Sequence, residues 1–189
     1  EGSSGQVDEW LADARIDIAI LYRYGANLSE HEQLLATVDS YLIGAAGDEL
    51  TASKEIPFAS LDNLPFALPG APNGLRTTLD AIAHQQHICL EPAIEADSLP
   101  LMRSLVAEAK LYTVLPIHAV WGEVGEGRLQ ASKIIDPVIQ RKVTMALARS
   151  KGPSKAVTTV AAEIVKIVEE KRHDGMWSAE LKGDLSTKQ

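Results

Sequence analysis

The sequence predicts an α/β fold with mainly parallel sheets and helices on both faces. Short apolar runs with β-branched residues alternate with amphipathic stretches at helical spacing along the 189 residues, and this alternation is typical of sheets covered by helices. The length suits one domain, or two small lobes in one chain. A composition of 46% hydrophobic and 23% charged residues is that of an ordinary globular protein. These observations indicate a folded chain with a substantial core.

The first predicted elements are a helix and a buried strand. Ser3 and Gln6 have capping-box spacing at the start of the helix. One face of this helix then carries apolar residues, namely Val7, Trp10, Leu11 and Ala14. The run 16–21 predicts a buried strand of the kind found in parallel sheets, and 38–45 predicts a second strand.

Proline and glycine divide the middle of the chain most sharply at 69–74. A helix is predicted over 75–86, and another begins after Ser98 with Pro100 in its first turn, where proline costs little. The other extended segments are predicted at 56–61, 65–68, 90–94, 111–115, 128–135 and 138–149.

The last predicted helix begins after Ser154, a suitable N-cap residue. Its apolar stripe runs from Val157 to Val168, and Gly175 is predicted to end it. Residues 177–189 predict a flexible tail.

No motif for catalysis or metal binding stands out. His84 and His87 are three residues apart, but no nearby carboxylate or cysteine completes a metal site. The glycines over 122–127 lie beside acidic residues that would repel phosphate, so a turn in a solvated loop is the better interpretation. Cys89 is predicted to be buried and structural rather than a nucleophile. We therefore expect no catalytic residue, no metal, no cofactor and no enzymatic activity.

Charge and cysteine content restrict the partners and the compartment. The net charge of −8 argues against a nucleic-acid surface on this chain, because phosphate binding requires clustered Lys and Arg. No run approaches the roughly 20 apolar residues that a membrane span needs, so no membrane partner is expected. A single cysteine excludes an internal disulfide and suits a reducing compartment.

Two glycine-rich segments precede helices and are candidates for binding an anion. They are residues 2–5 and residues 69–74, and helix N-termini present unpaired N–H groups and a positive dipole end. The alternative is that Ser3 or Ser4 only caps its helix and that the prolines only turn the chain. The residue pattern favours neither interpretation.

Several segments, in order and spacing over nearly the whole chain, carry a family resemblance. They include Glu-Gly-Ser-Ser-Gly at 1–5, Tyr-Thr-Val-Leu-Pro at 112–116 and Asp-Pro-Val-Ile-x-Arg at 136–141, with further matches over 62–79 and 95–106. Together they resemble the effector-binding domain of LysR-type transcriptional regulators. The first two motifs are most similar to the nitrogen-assimilation-control group.

The resemblance implies two Rossmann-like lobes of the periplasmic-binding-protein type, joined by crossover strands. Lobe one would comprise 1–46 and 145–176, and lobe two would comprise 47–144. The first lobe is expected to be incomplete, because the family's opening strand–helix–strand would precede Glu1. A cytoplasmic homodimer or homotetramer is implied, which contacts DNA only through a winged helix-turn-helix domain that would also precede Glu1.

The resemblance also implies where a small, anionic effector binds, namely in the cleft between the lobes. The residues expected to contact it are Ser3, Ser4, Tyr22, Pro69, Gly70, Ala71, Asn73, Gly74, Leu75 and Ser98. A solute-binding protein of an uptake system shares the two-lobed architecture and is the alternative. An enzyme on the same scaffold is a third possibility, for which the sequence offers no catalytic arrangement.

Overall fold

A computed structural model describes residues 2, 4–25, 28–148, 152 and 154–173 of the chain. Its helices are α1 (Ser4–Ala12), α2 (Gly74–Gln86), α3 (Leu99–Ala109), α4 (Trp121–Gly125) and α5 (Lys155–His173). Its strands are β1 (Ile18–Arg23), β2 (Glu32–Asp39), β3 (Tyr41–Ala45), β4 (Glu55–Pro57), β5 (Phe66–Leu68), β6 (Pro92–Glu95), β7 (Thr113–Leu115), β8 (Leu129–Ile135) and β9 (Gln140–Leu147). Two 3₁₀ helices lie at Phe58–Leu61 and Ile117–Ala119.

The N-terminal and C-terminal parts of the chain share a three-stranded sheet of order β1-β9-β2. Adjacent residues of β9 point to opposite faces, so Met145 packs with Ala161 and Val168 of α5, whereas Ala146 packs in the cluster that includes Val7 of α1. The sheet is therefore covered by a helix on each face, and we call this part lobe one.

The middle of the chain surrounds a four-stranded sheet of order β4-β8-β3-β7. Leu42 lies in a core cluster with Leu75 and Leu79 of α2, while its neighbour Ile43 lies in a second cluster with Val106 of α3. The parallel pair β5-β6 forms a small third sheet. We call this part lobe two.

Two pairs of strands cross between the lobes. Strand β2 belongs to the first sheet and β3 to the second, with only Ser40 between them, and residues 136–139 separate β8 from β9 in the same way. The backbone N–H of Ser40 donates to the carbonyl of Ile139 at 2.9 Å, and the N–H of Ile134 donates to the carbonyl of Ser40 at 3.1 Å. The two crossings are thus hydrogen-bonded to each other, which confirms the predicted two-lobed α/β architecture.

The prediction of mainly parallel sheets is wrong. Of the strand pairs that the structure describes, β1–β9, β2–β9, β3–β7 and β3–β8 are antiparallel, and only β4–β8 and β5–β6 are parallel. The crossing strands return through each lobe in the opposite direction. A strand covered on both faces reads as a continuous apolar run in either orientation, so the pattern did not distinguish the two.

Several local predictions also need correction. The predicted strand 38–45 is two strands, because the chain changes sheet at Ser40. Residues 56–61 continue from β4 into a 3₁₀ helix, and residues 121–125 form the short helix α4 before a turn. Ala14 has a φ of 53° and lies beyond the end of α1, off the predicted face. Cys89 is exposed rather than buried.

The three longer helices are confirmed. Helix α2 covers the predicted 75–86, and α3 begins after Ser98. At α5 the backbone N–H of Val157 donates to Ser154 Oγ at 3.3 Å, so Ser154 is the N-cap. The predicted stop at Gly175 and the predicted tail lie outside the described residues, and the lobe boundaries at 46 and 145 stay predictions.

Candidate functional site

The two lobes meet through side chains at the C-terminal end of β1. Tyr22 of lobe one and His118 of lobe two share a hydrogen bond of 2.9 Å between Tyr22 Oη and His118 Nε2. Their rings are stacked, with centroids 6.3 Å apart and planes 17° apart. This contact joins β1 to the 3₁₀ helix Ile117–Ala119 and places Tyr22, a predicted effector residue, at the boundary between the lobes.

A buried arginine lies beside this contact. Arg141 of β9 is only 6% exposed, and its Cζ lies 5.0 Å from the centroid of the Tyr22 ring. Its Nε and Nη2 atoms are buried and have no hydrogen-bond partner among the described residues. Buried polar groups are nearly always hydrogen-bonded, and a buried charge without a partner is costly. The guanidinium edge formed by these two atoms is therefore the unusual feature of the junction.

Tyr24 lies against the start of α2 and is near enough to Arg141 to be affected by its charge. A Cβ built on Gly74 would lie 3.0 Å from Tyr24 Cδ2, so the aromatic ring rests directly against the first residue of the helix. Tyr24 also packs against the core cluster of lobe two. We call Tyr22, Tyr24, His118 and Arg141 the junction cluster.

The start of α2 is closed by its own cap. Asn73 Oδ1 accepts hydrogen bonds from the backbone N–H groups of Leu75, at 2.9 Å, and Arg76, at 3.4 Å. Arg76 in turn binds Glu95 of β6, with Nη1 and Oε1 3.0 Å apart. Asn73 is therefore the N-cap of α2, a role that was not predicted from the sequence, and these two N–H groups already have an acceptor.

The other predicted effector residues are distributed around this region. Pro69 and Leu75 are buried, Gly70 lies beside Glu95, and Ala71 is exposed. Ser98 is exposed at the N-cap position of α3, but its hydroxyl makes no capping hydrogen bond. Ser4 begins α1, and Ser3 lies outside the described residues. Of the predicted residues, Gly74 lies against the ring of Tyr24, which is two residues beyond Tyr22 in the chain.

Sequence reasoning missed Tyr24, His118 and Arg141. A signal for Arg141 existed, because it alternates with Val143 and Met145 in a predicted strand, and an arginine on a buried face is rare. No comparable signal existed for His118, which reaches the cluster only through the folding of lobe two.

Burial controls the charge of the cluster. It lowers the pKa of His118 to about 4, with a further lowering from the nearby Arg141. Burial also raises the pKa of Tyr22 and Tyr24, although the positive charge of Arg141 opposes both increases. At neutral pH the two tyrosines and the histidine are therefore neutral, and Arg141 supplies the only charge among the four side chains.

We expect acid to destabilise the chain partly through His118. Between pH 6.5 and about 4 the unfolded histidine binds a proton that the folded His118 does not bind. The unfolded state then binds more protons, so the free energy of unfolding falls as the pH falls through this window. Urea unfolding at about pH 7 and about pH 5 measures this loss, and His118→Gln is expected to reduce it.

The matched control for this pH experiment is His84→Gln, because His84 is exposed on α2. Carboxylates titrate in the same range, so the comparison between the two variants is the informative quantity. An equal loss of stability on acidification in both variants would contradict the role given to His118.

Neither a metal site nor a membrane-spanning helix is found in the part of the chain that the structure describes. Among those residues no group of three or more His, Cys, Asp and Glu side chains is placed to hold a metal ion. None of the described helices combines the length and the apolar character that crossing a membrane requires.

Two α/β lobes, joined by crossing strands and meeting at a polar cluster, define a ligand-binding domain of the periplasmic-binding-protein type. Residues 1–167 match the family described as the LysR substrate binding domain. The chain belongs to this family. No curated protein shows significant sequence similarity to it.

Solved structures share the fold at low sequence identity. The CcmR regulatory domain of Synechocystis PCC6803, in complex with 2-PG, has a TM-score of 0.76 and 17% identity, over 88% of this chain and 80% of that one. The effector-binding domain of QuiR in complex with shikimate has a TM-score of 0.72 and 14% identity, over 89% and 79%. The C-terminal domain of a probable LysR family regulator from Rhodococcus sp. RHA1 has a TM-score of 0.65 and 19% identity, over 89% and 82%.

The resemblance to the effector-binding domain of LysR-type regulators is thus confirmed, and the similarity to the nitrogen-assimilation-control group stays a prediction. The family match and the shared fold support the effector-binding domain of a LysR-type regulator over a solute-binding protein of an uptake system. The proteins that this chain is similar to are regulator domains rather than enzymes.

Proposed function

We propose that this chain senses a small anionic effector between its two lobes and performs no catalysis. The effector alters the arrangement of the lobes, and this change is passed to a DNA-binding domain elsewhere in a cytoplasmic regulator. A ligand can do this only if it binds one arrangement better than another. The predicted contact residues at the starts of α1 and α2 remain part of this proposal.

The observation that carries the proposal is the contact between Tyr22 and His118. It is a direct hydrogen bond and ring contact between side chains of the two lobes, so a molecule entering the junction must replace it or extend it. The charge of Arg141 makes this junction locally positive in a chain of net charge −8. The complexes of QuiR with shikimate and of CcmR with 2-PG also support a small ligand in this class of domain.

We further propose that copies of the chain pair as a homodimer or homotetramer. Val160 and Ile167 lie seven residues apart on α5, and each exposes about half of its side chain. Apolar side chains on one exposed helix face are typical of surfaces that bind another protein. Sedimentation equilibrium of the full-length protein, compared with Val160→Glu, is expected to show loss of pairing in the variant.

The distance between the lobes tests the sensing proposal. Cys89 is the only cysteine of the sequence and is exposed in lobe two, and Glu163 is exposed on α5 in lobe one. Spin labels at Cys89 and at Glu163→Cys give a distance across the junction. We expect shikimate or benzoate to shift this distance, and methyl shikimate or benzamide to leave it unchanged.

A label pair within lobe one is the matched control. Gln33→Cys and Glu163→Cys, in a Cys89→Ser background, are expected to keep their distance with every compound, since both positions belong to the same lobe. A shift caused only by the neutral compounds would contradict the anionic effector. The absence of any shift with the acids would contradict sensing through the lobes.

A further inference from the structure

We propose that Arg141 is the anchor for the effector and binds the carboxylate of a small organic monoacid through its Nε and Nη2 atoms. This inference deepens the proposed function and depends on it for the location of the ligand. It adds a recognition residue that was not predicted from the sequence, and it names the chemical class that the residue selects.

Two arginines of lobe one, Arg23 and Arg141, lie near the junction and differ in their partners. In Arg23, Nε donates to Glu32 Oε1 at 3.1 Å and Nη2 donates to the same oxygen at 2.9 Å. These two nitrogens form one edge of the guanidinium, and this edge fits the two oxygens of a carboxylate. In Arg141 the same two nitrogens are the ones without a partner among the described residues. Arg128 likewise presents this edge to Glu126, so among the described residues two arginines use it for a carboxylate, whereas the edge of Arg141 is open.

The acidic residue closest to Arg141 along the sheet does not serve as its partner. Asp39 is close in sequence to Val38, which is the β2 partner of Arg141 in the strand register. Asp39 is already bound, however, because Lys133 Nζ lies 2.8 Å from its Oδ2 and Gln140 Nε2 lies 2.8 Å from its Oδ1. Asp39, the nearest acidic residue along the sheet, is thus already bound to Lys133 and Gln140.

The surroundings of Arg141 select the charge and shape of the ligand. Arg141 is 6% exposed and is the single charge of the junction cluster, so a monoanion is neutralised there, whereas a dianion would keep one charge out of water at a high cost. Two aromatic side chains lie beside the arginine: its Cζ is 5.0 Å from the centroid of the Tyr22 ring, and its charge acts on Tyr24. A carbon skeleton bound at Arg141 would pack beside these rings. An organic monoacid satisfies both conditions, whereas inorganic phosphate is partly a dianion at neutral pH and has no carbon skeleton to pack beside the rings.

The experiment measures binding of benzoate and shikimate to the full-length protein, with benzamide, methyl shikimate and inorganic phosphate as comparison compounds. Arg141→Met removes the charge, and Arg141→Lys keeps the charge but removes the paired Nε and Nη2 donors. Arg128→Met is the matched control, since Arg128 is exposed and its ion-pair partner among the described residues is the neighbouring Glu126. We expect Arg141→Met to weaken acid binding about 30-fold or more, and Arg141→Lys about 10-fold, with Arg128→Met unchanged.

A second measurement, by NMR, reports directly on the Nε–H group of Arg141. In the arginine Nε–H region of a ¹H–¹⁵N spectrum, the signal absent from Arg141→Lys belongs to Arg141. We expect the acids to shift this signal and to slow its exchange with water, and the neutral compounds to leave it in place. Without ligand, Arg141→Met is expected to be no less stable than the parent, because it removes a buried charge whose Nε and Nη2 atoms have no hydrogen-bond partner among the described residues.

Several results would overturn the inference. Acid binding that is unchanged in Arg141→Lys, a stationary Nε–H signal, tighter binding of phosphate than of the acids, or no acid binding at about 10 mM would each do so. A ligand-free Arg141→Met that fails to fold would assign the residue a structural role instead. Acid binding at Arg141 without a change in the distance between the lobes would contradict the proposed function alone. A distance change that is the same in Arg141→Lys as in the parent would contradict only this inference.

Discussion

Gly44→Ala is expected to lower the free energy of unfolding by about 3 kcal/mol, at the upper end of the cost of overpacking a core. Gly44 is buried in β3, and an added Cβ would lie 2.5 Å from Thr51 Oγ1 and 2.9 Å from Thr51 Cγ2. Thr51 itself is 2% exposed and cannot turn outward freely. Its Oγ1 donates to Asp48 Oδ1 at 3.0 Å, so moving it also disturbs this hydrogen bond. Urea unfolding of the variant measures the loss.

The neighbour and a distant glycine supply the controls for this substitution. Thr51→Ala in the Gly44→Ala background removes the two closest atoms and is expected to recover part of the loss, and the double-mutant cycle then gives a favourable coupling. Gly122→Ala introduces a methyl group that meets nothing within 4 Å, and because Gly122 lies in α4 it is expected to leave stability unchanged or to raise it by up to about 1 kcal/mol. Equal effects of Gly44→Ala and Gly122→Ala would show that the close approach of β3 to Thr51 is not a constraint.

The elements that sequence reasoning predicted well are those whose signals are local. Helix α5 has both an N-cap at Ser154 and an apolar stripe, and both are read along a short stretch of chain. The division of 38–45 into β2 and β3 was not predictable in this way. The chain changes sheet at Ser40 because that residue hydrogen-bonds to the second crossing, near Ile134 and Ile139, about a hundred residues further along.

The residues of the candidate site show the same difference between local and long-range signals. Tyr22 was proposed from the family resemblance, and Gly74 both from that resemblance and because it closes a run of proline and glycine before a helix. The sequence could indicate Arg141 only as a charged residue on a buried strand face. Its proposed role depends on which of its nitrogens have no hydrogen-bond partner, and only the folded structure shows this. His118 comes from a different lobe, so its contact with Tyr22 exists only once the lobes are arranged.

Arg23→Met is expected to lower the free energy of unfolding by about 3 kcal/mol, the cost of leaving a buried carboxylate without its cation. Arg23 connects three elements of lobe one, because it binds Asp8 of α1 at 2.6 Å and Glu32 of β2 at 2.9 Å. The Glu32 side chain is only 8% exposed, and besides Arg23 its polar contact among the described residues is a 3.1 Å hydrogen bond from Thr144. Hydrogen bonds to Asp8 and to Glu32 hold the pKa of Arg23 well above its usual range. Urea unfolding again measures the change.

Glu32→Gln distinguishes a lost charge partner from a lost hydrocarbon contact. In the Arg23→Met background an amide at position 32 requires no cation, so it is expected to restore about half of the stability. Arg128→Met is the matched control: Arg128 and Glu126 are both more than half exposed, and an exposed ion pair contributes at most about 1 kcal/mol. If Glu32→Gln restores nothing, the loss in Arg23→Met comes from packing of the arginine stem, and Glu32 is not the source of the penalty. If it restores stability, the buried carboxylate of Glu32 is the reason that β1 requires an arginine between Tyr22 and Tyr24. The stability of lobe one then depends on the same strand that positions part of the junction cluster.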